Sequence, residues 1–217
     1  MTSAALFTLV MGAITTAGLS IAGILLGVPL GLALALVRWA GIPVASPLIA
    51  TYVSLIRATP IVTLALFVFF VLPGVGLELQ PIPAAIVTLT LNTAAFNCEI
   101  WRAALIAFPN DQREVASAYG MLPFTMFRRI MLPQLWRASI GPLTNEMTIL
   151  LKGTPAVAVI GVVEITRAAS RIGAETYEPL PPFLVATVLY TVLIVAIVRA
   201  QRVIEREVAR RYGYAAP

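Results

Sequence analysis

The feature that most constrains this chain is a set of long runs without a charged residue. Residues 1–37 contain no Asp, Glu, Lys, Arg or His, and the same holds for residues 58–77, 79–98 and 179–198. Each run supplies roughly the 20 residues that an α-helix needs to cross the hydrocarbon core of a bilayer. Composition agrees. Of the 217 residues, 59% are hydrophobic and 12% charged, against about 45–50% and about 25% in soluble domains. A chain of this length cannot bury so much apolar surface in one aqueous core. A soluble enzyme is excluded, and residues 1–217 read as a single all-α integral membrane domain.

The remaining counts narrow the chemistry. There is no His, which removes the commonest metal ligand and general base. The one Cys, Cys98, lies in an apolar run, so no disulfide framework exists. No GxxxxGK[ST] sequence occurs that would cradle nucleotide phosphates. The net charge of +5 fits cytoplasmic loops of a membrane protein rather than a nucleic-acid partner. The uncharged start lacks a basic leader and reads as a retained first span.

Five spans are expected, at about residues 6–37, 44–72, 84–108, 138–163 and 183–201. The second is interrupted at Arg57-Ala58-Thr59-Pro60, because Pro60 disfavours helical geometry at Thr59. This is either a kink within one span or an interfacial helix followed by a shorter span. Gly153-Thr154-Pro155 is expected to bend the fourth span, and a loop carrying Arg167, Arg171, Glu175 and Glu178 leads to the fifth. Arg38, Arg113, Arg128, Arg129, Arg137, Arg199, Arg202, Arg206, Arg210 and Arg211 fall at one set of span ends; the opposite ends carry Arg167 and Arg171. The basic set marks the cytoplasm, which puts the N-terminus outside and the C-terminus inside. Trp39, Tyr212 and Tyr214 read as interfacial anchors.

The stretch 109–133 is the longest between spans on the basic side. Asp111 and Glu114 suit a capping box opening a short helix, Gly120 suits its C-terminal stop, and Pro123 suits the first turn of a second helix. Tyr119, Met121, Leu122 and Phe124 cluster at the junction, and an apolar cluster facing the cytoplasm needs a partner. The residues alone leave lipid headgroups and a partner protein open.

Glu114-Val115-Ala116-Ser117-Ala118-Tyr119-Gly120, followed by Ile130-Met131-Leu132-Pro133, resembles the EAA loop of ABC-importer permeases, with Val115 and Tyr119 in place of the usual Ala and Leu. Four further stretches resemble the polar amino acid branch of that family (histidine, glutamine, arginine and opine permeases). They are Tyr52 to Pro60, Ala94 to Arg102, Leu132 to Arg137 and Asn145 to Thr154; Ala58, Pro155 and Ala156 depart from the family pattern. The resemblance implies a multi-pass permease subunit in the bacterial inner membrane, with no covalent chemistry of its own and no cofactor in this chain. ATP and Mg would belong to two ABC ATPase subunits. A second permease subunit, identical or paralogous, and an extracytoplasmic solute-binding protein complete the implied partners. Glu114, Ala116, Gly120, Met121, Leu122 and Pro123 would then form the coupling helix that docks on the ATPase, a helix-in-groove contact. Permeases for an opine, ectoine or methionine are alternatives, as is a self-sufficient secondary transporter.

Charges within spans are the candidates for substrate contact, since a charged side chain at mid-bilayer costs at least about 2.5–3.5 kcal/mol. Glu146 falls about 12 Å into the fourth span at 1.5 Å per residue, toward the midplane. Its carboxylate suits a substrate ammonium or guanidinium, cationic amino acids being the narrower expectation. The rival is a buried structural pair, for which Lys152 has the wrong helical spacing. Asn145 shares this case. Arg57 is either a carboxylate ligand or a cap for freed carbonyls. Thr59 and Thr154 stand at helix breaks, where backbone can bind small polar ligands, or else they bond back to their own helices. Glu99 and Arg102, three apart on one helix face, read as a structural ion pair. No metal site is expected.

Overall fold

The computed structural model describes residues 2–212, with side-chain surroundings given through residue 207. The side chains of Arg210, Arg211 and Tyr212, and all of Tyr214, therefore lie outside the described residues. The described chain is all-helical: α1 (Ser3–Trp39), α2 (Ala45–Ala58), α3 (Ile61–Leu66), α4 (Pro81–Ile106), α5 (Asn110–Ala118), α6 (Pro123–Met126), α7 (Leu132–Gly153), α8 (Ile165–Thr176) and α9 (Leu180–Tyr212). By length and composition α1 and α9 can each cross a membrane alone, and two bent helix pairs raise the number to four. The central helix α4 has the length, but its buried face carries Thr88, Asn92, Thr93 and Asn97, which dilute its apolar character. Only 28% of the most apolar window of α1 and 6% of that of α9 are buried. Those faces are left for lipid or a partner subunit.

Small residues decide how the bundle closes. α1 carries Gly23, Gly27, Gly31 and Ala35 at four-residue spacing, one face of a helix, and this stripe lies along α4. A Cβ added at Gly27 would stand 2.7 Å from the Thr93 side chain, and one at Gly31 would stand 2.8 Å from the Asn97 Cβ and 3.0 Å from the Ala94 carbonyl. Between membrane helices, where water does not drive burial, such close backbone approach supplies the packing. We expect Gly31→Ala to destabilise the detergent-solubilised protein by about 1–3 kcal/mol through overpacking. Gly18→Ala is the control, since a Cβ there meets nothing within 4 Å. Equal melting temperatures for the two variants would contradict this packing.

The helix breaks differ from the expectations in two places and sharpen a third. At Thr59-Pro60 the expected interruption is a break between two helices. Thr59 is extended, at φ −90° and ψ 128°, and Ile61–Val75 leaves at 113° to α2. The restriction that proline imposes on its predecessor here ends one helix and starts another. Gly153-Thr154-Pro155 does not bend the fourth span. The helical rod Pro123–Ile160 is continuous, tightening to 3₁₀ geometry over Thr154–Ile160. Pro155 falls in the first turn of that segment, where a missing N–H costs nothing. The change of direction, 55°, follows Ile160, beyond Gly161 at φ +102°. The stretch with Arg167 and Arg171 is helix α8, not a loop. Its N-cap is Glu164, which accepts from the backbone N–H of Thr166 at 2.8 Å and of Arg167 at 2.6 Å.

Candidate functional site

Two features stand out, a cavity open to the surface and an exposed helical turn. The open cavity, about 670 Å³, lies between α4, α7 and the end of α2, and its wall includes Arg57, Phe96, Glu99, Ser139, Asn145 and Glu146. α7 delivers Asn145 and Glu146 from the middle of the long rod Pro123–Ile160. α2 delivers Arg57 because the chain turns sharply just after it. The Arg57 guanidinium lies over the Phe96 ring, 5.4 Å from its centroid. It caps no freed carbonyl at the break.

Two carboxylates are buried among the described residues, and they are held differently. Glu164 is 0% exposed. Besides the two backbone donors that it caps, it accepts from the Tyr190 hydroxyl at 2.7 Å. Its burial is fully matched, so its role is to join α8 to α9. Glu146 is 5% exposed and no hydrogen bond or ion pair to it is found among the described side chains; Arg57, on the same cavity wall, is the charge that bears on it. Lys152 is exposed. A buried carboxylate without donors is costly, and a cationic or ammonium-bearing ligand in the cavity lowers that cost. Ser139, also on the wall, has a buried hydroxyl without a partner.

Glu99 receives more than one cation. Arg102 binds Oε2 through Nε at 3.0 Å and Nη2 at 2.8 Å, and Arg38, from the end of α1, binds Oε1. Two guanidiniums bracket this carboxylate, which leaves Glu146 as the carboxylate on the cavity wall without an ionic partner. The structure does not bring Thr59 or Thr154 to this cavity. Thr59 Oγ1 donates to the Leu55 carbonyl at 2.7 Å, and Thr154 Oγ1 donates to that of Leu151 at 2.8 Å. Both hydroxyls bond back to their own helices, the commoner behaviour of such residues.

The second feature is the turn after α5. Helix α5 opens at Asn110 behind Pro109, with Asp111 inside its first turn and no side-chain cap. The expected capping box with Glu114, which is exposed, is therefore absent. The C-terminal end matches its residues closely. Gly120 adopts φ +73°, its N–H bonds the Ser117 carbonyl at 2.9 Å, and the Met121 N–H bonds that of Ala116 at 3.1 Å, the Schellman pattern. Ala116 is buried against the core that holds Trp101 and Leu135, and Met121 packs there too. Tyr119 and Leu122 are left 87% and 72% exposed. Pro123 starts α6 at its first position. An apolar groove of about 410 Å³ runs between Val115, Ala116, Tyr119, Met121 and Ile130.

Sequence alone does not reveal Phe96 or Ser139 as parts of the cavity wall, nor Arg38 as the partner of Glu99 on that wall, since each depends on contacts between distant segments. Glu164 was legible in principle, as an acidic N-cap before Ile165-Thr166-Arg167-Ala168. Among the described residues no group of three His, Cys, Asp or Glu is placed to hold a metal ion.

Comparison with known proteins gives one consistent answer. Residues 23–210 match the family model described as binding-protein-dependent transport system inner membrane component. The L-cystine transport system permease protein TcyB of Bacillus subtilis is 33% identical over 196 residues, covering 90% of this chain and 84% of that protein. The glutamine transport system permease protein GlnP of Escherichia coli is 32% identical over 200 residues, 91% of each chain. Among solved structures, an amino acid ABC transporter crystallised with histidines superposes with a TM-score of 0.82 at 28% identity, covering 92% of this chain and 94% of that one. The methionine ABC transporter MetNI shares the fold, with a TM-score of 0.77 over 96% of this chain and 99% of that one, at 23% identity. The chain belongs to the family of binding-protein-dependent transport system inner membrane components.

Proposed function

We propose that the chain is the permease subunit of an ATP-driven importer of polar amino acids, and that its cavity is where the solute is held during passage. The unpartnered buried carboxylate of Glu146, in a cavity that Arg57 also lines, carries this reading. An amino acid presents an ammonium and a carboxylate, and Glu146 and Arg57 offer the complementary charges. With Glu99 neutralised by Arg38 and Arg102, the second positive charge of arginine, lysine or ornithine favours the Glu146 side. Asn145 supplies an amide on the same wall. The relatives' names, cystine and glutamine among them, support the solute class.

The transport work is conformational. This chain binds the solute, shields it from the bilayer and switches which face the cavity opens to, with no bond made or broken. ATP and Mg are bound by two separate ATPase subunits, whose closure moves the turn around Gly120; Tyr119 and Leu122 are the apolar knobs for that docking. A second permease subunit covers lipid-free parts of α1 and α9, and a solute-binding protein delivers the amino acid from outside. The chain lies in the bacterial inner membrane with five spans, N-terminus outside and C-terminus in the cytoplasm.

Topology is testable in a Cys98→Ser background. Cys98 is fully buried, so its loss leaves accessible thiols only where they are introduced. An impermeant thiol reagent applied to intact cells should label Thr2→Cys and spare Ala216→Cys, a position outside the described residues. The reverse pattern would overturn the orientation. The transport reading itself is tested by whether uptake of labelled arginine or glutamine requires ATP hydrolysis by the partner subunits.

A further inference from the structure

The end of α1 joins the two features of the molecule. Its last two residues are Arg38 and Trp39. Arg38 points to the cavity wall, where it pairs with Glu99. Trp39 points to the docking segment, where the guanidinium of Arg113 from α5 stacks on the indole, 4.9 Å from the ring centroid. The Nε of Arg113 is buried without a hydrogen-bond partner, so the ring is what receives this cation. The far end of the Arg113 side chain is held by Asn110 Oδ1, which accepts from Nη1 at 3.3 Å. The guanidinium is thereby fixed to α5 itself.

We propose that Trp39 and Arg113 form a joint through which displacement of α5 reaches the solute cavity. This rests on the coupling role proposed above for the α5 turn. Because Arg38 and Trp39 are adjacent in one helical turn, a shift of the indole carries the Arg38 backbone with it. The guanidinium of Arg38 then moves against Glu99, which is also held by Arg102. The charge facing the solute therefore depends on where α5 stands. α5 has a second tie, from Gln112 Oε1, which accepts from Gln134 Nε2 at 2.8 Å, at the start of the helix that carries Glu146. That tie links α5 to the α7 wall; the Trp39–Arg113 joint links it to the α4 wall. Trp39 and Arg113 are positioning residues, since neither touches the cavity.

A competing role for Trp39 is that of an interfacial anchor, which would affect insertion and leave Arg113 without a function. The experiment separates the two. The complete complex, with its ATPase and second permease subunits and solute-binding protein, is reconstituted in proteoliposomes. Uptake of radiolabelled arginine and glutamine is measured beside phosphate release, with assembled complex quantified for each variant. Trp39→Leu and Arg113→Gln should each lower solute moved per ATP by roughly 3- to 20-fold, the factor that a partly buried cation–π contact corresponds to. The double variant should be no worse than either single one, and Trp39→Phe, which keeps a ring face, should recover most of the loss. Arg113 is half-buried and Gln retains a polar amide there, so Arg113→Gln carries the test even if Trp39→Leu fails to assemble. Unchanged solute-to-ATP ratios, or losses that add in the double variant, overturn the joint while the transport reading stands. A wild-type complex without ATP-dependent uptake overturns both.

Discussion

Gly120→Val should cut solute uptake per ATP hydrolysed by about 5- to 30-fold, with normal insertion and assembly. Gly120 adopts φ +73°, and a Cβ there would meet nothing within 4 Å. The cost is therefore conformational and not a clash. A left-handed backbone costs an L-residue about 1–2 kcal/mol, more with β-branching; that corresponds to a factor of about 5–30 in the population of the native turn. The turn is what aims Tyr119 and Leu122 outward, while Ala116 keeps α5 seated on the core. Gly120→Asn is the discriminating companion, because Asn tolerates the left-handed region; it should retain most of the coupling. Transport by Gly120→Val at the native rate would remove the docking role from this turn.

Glu146→Gln should weaken arginine binding by about 1.5–3 kcal/mol, the range for a hydrogen bond to a charged group, or about 10- to 150-fold in Kd. Gln keeps the shape of the side chain and removes its charge. Because the carboxylate has no protein partner to orphan, expression and stability should be maintained or improved. Isothermal titration of the solubilised complex, without the solute-binding protein, reads the effect directly. Arginine should bind the wild type more tightly than glutamine, and the difference should shrink in Glu146→Gln. Equal affinity of the wild type for both, or an unchanged arginine affinity in the variant, would return Glu146 to a structural role. A parallel loss in Glu164→Gln is not expected for binding. That carboxylate serves two backbone donors and Tyr190, so its replacement should lower stability instead.

Local signals proved legible wherever one residue type dictates backbone geometry. Gly120 reads as a positive-φ stop and is one, and Pro123 reads as a helix start and is one. Pro60 reads as a break, but the size of the turn, 113°, is set by what α2 and Ile61–Val75 pack against and not by Pro60 alone. Pro155 misled because a proline in the first turn of a helical segment is harmless, and the sequence does not show that the helix changes type at Thr154. Asp111 misled because α5 opens behind Pro109, two residues earlier than a capping box on Asp111 requires. The glycine stripe from Gly23 to Gly31 went unread in the sequence; its role shows only where α4 approaches it. The cavity was half visible. Glu146 and Asn145 stand out as polar residues deep in a span, whereas the approach of Arg57 to Phe96 and of Arg38 to Glu99 depends on segments distant in sequence. Thr59 and Thr154 attracted notice through their prolines, and their hydroxyls turned out to be occupied by the carbonyls of Leu55 and Leu151.

The central claim is that this chain moves polar amino acids inward at the expense of ATP hydrolysed by its partners. The most direct measurement is uptake of radiolabelled arginine and glutamine into proteoliposomes holding the chain with its ATPase subunits and second permease subunit. Solute-binding protein is supplied on the outside and Mg-ATP is enclosed within. Accumulation should require hydrolysable ATP and the solute-binding protein together, and should be insensitive to collapse of proton and sodium gradients. Uptake by the chain without ATPase subunits, driven by an ion gradient, would contradict the account and make the protein a secondary transporter.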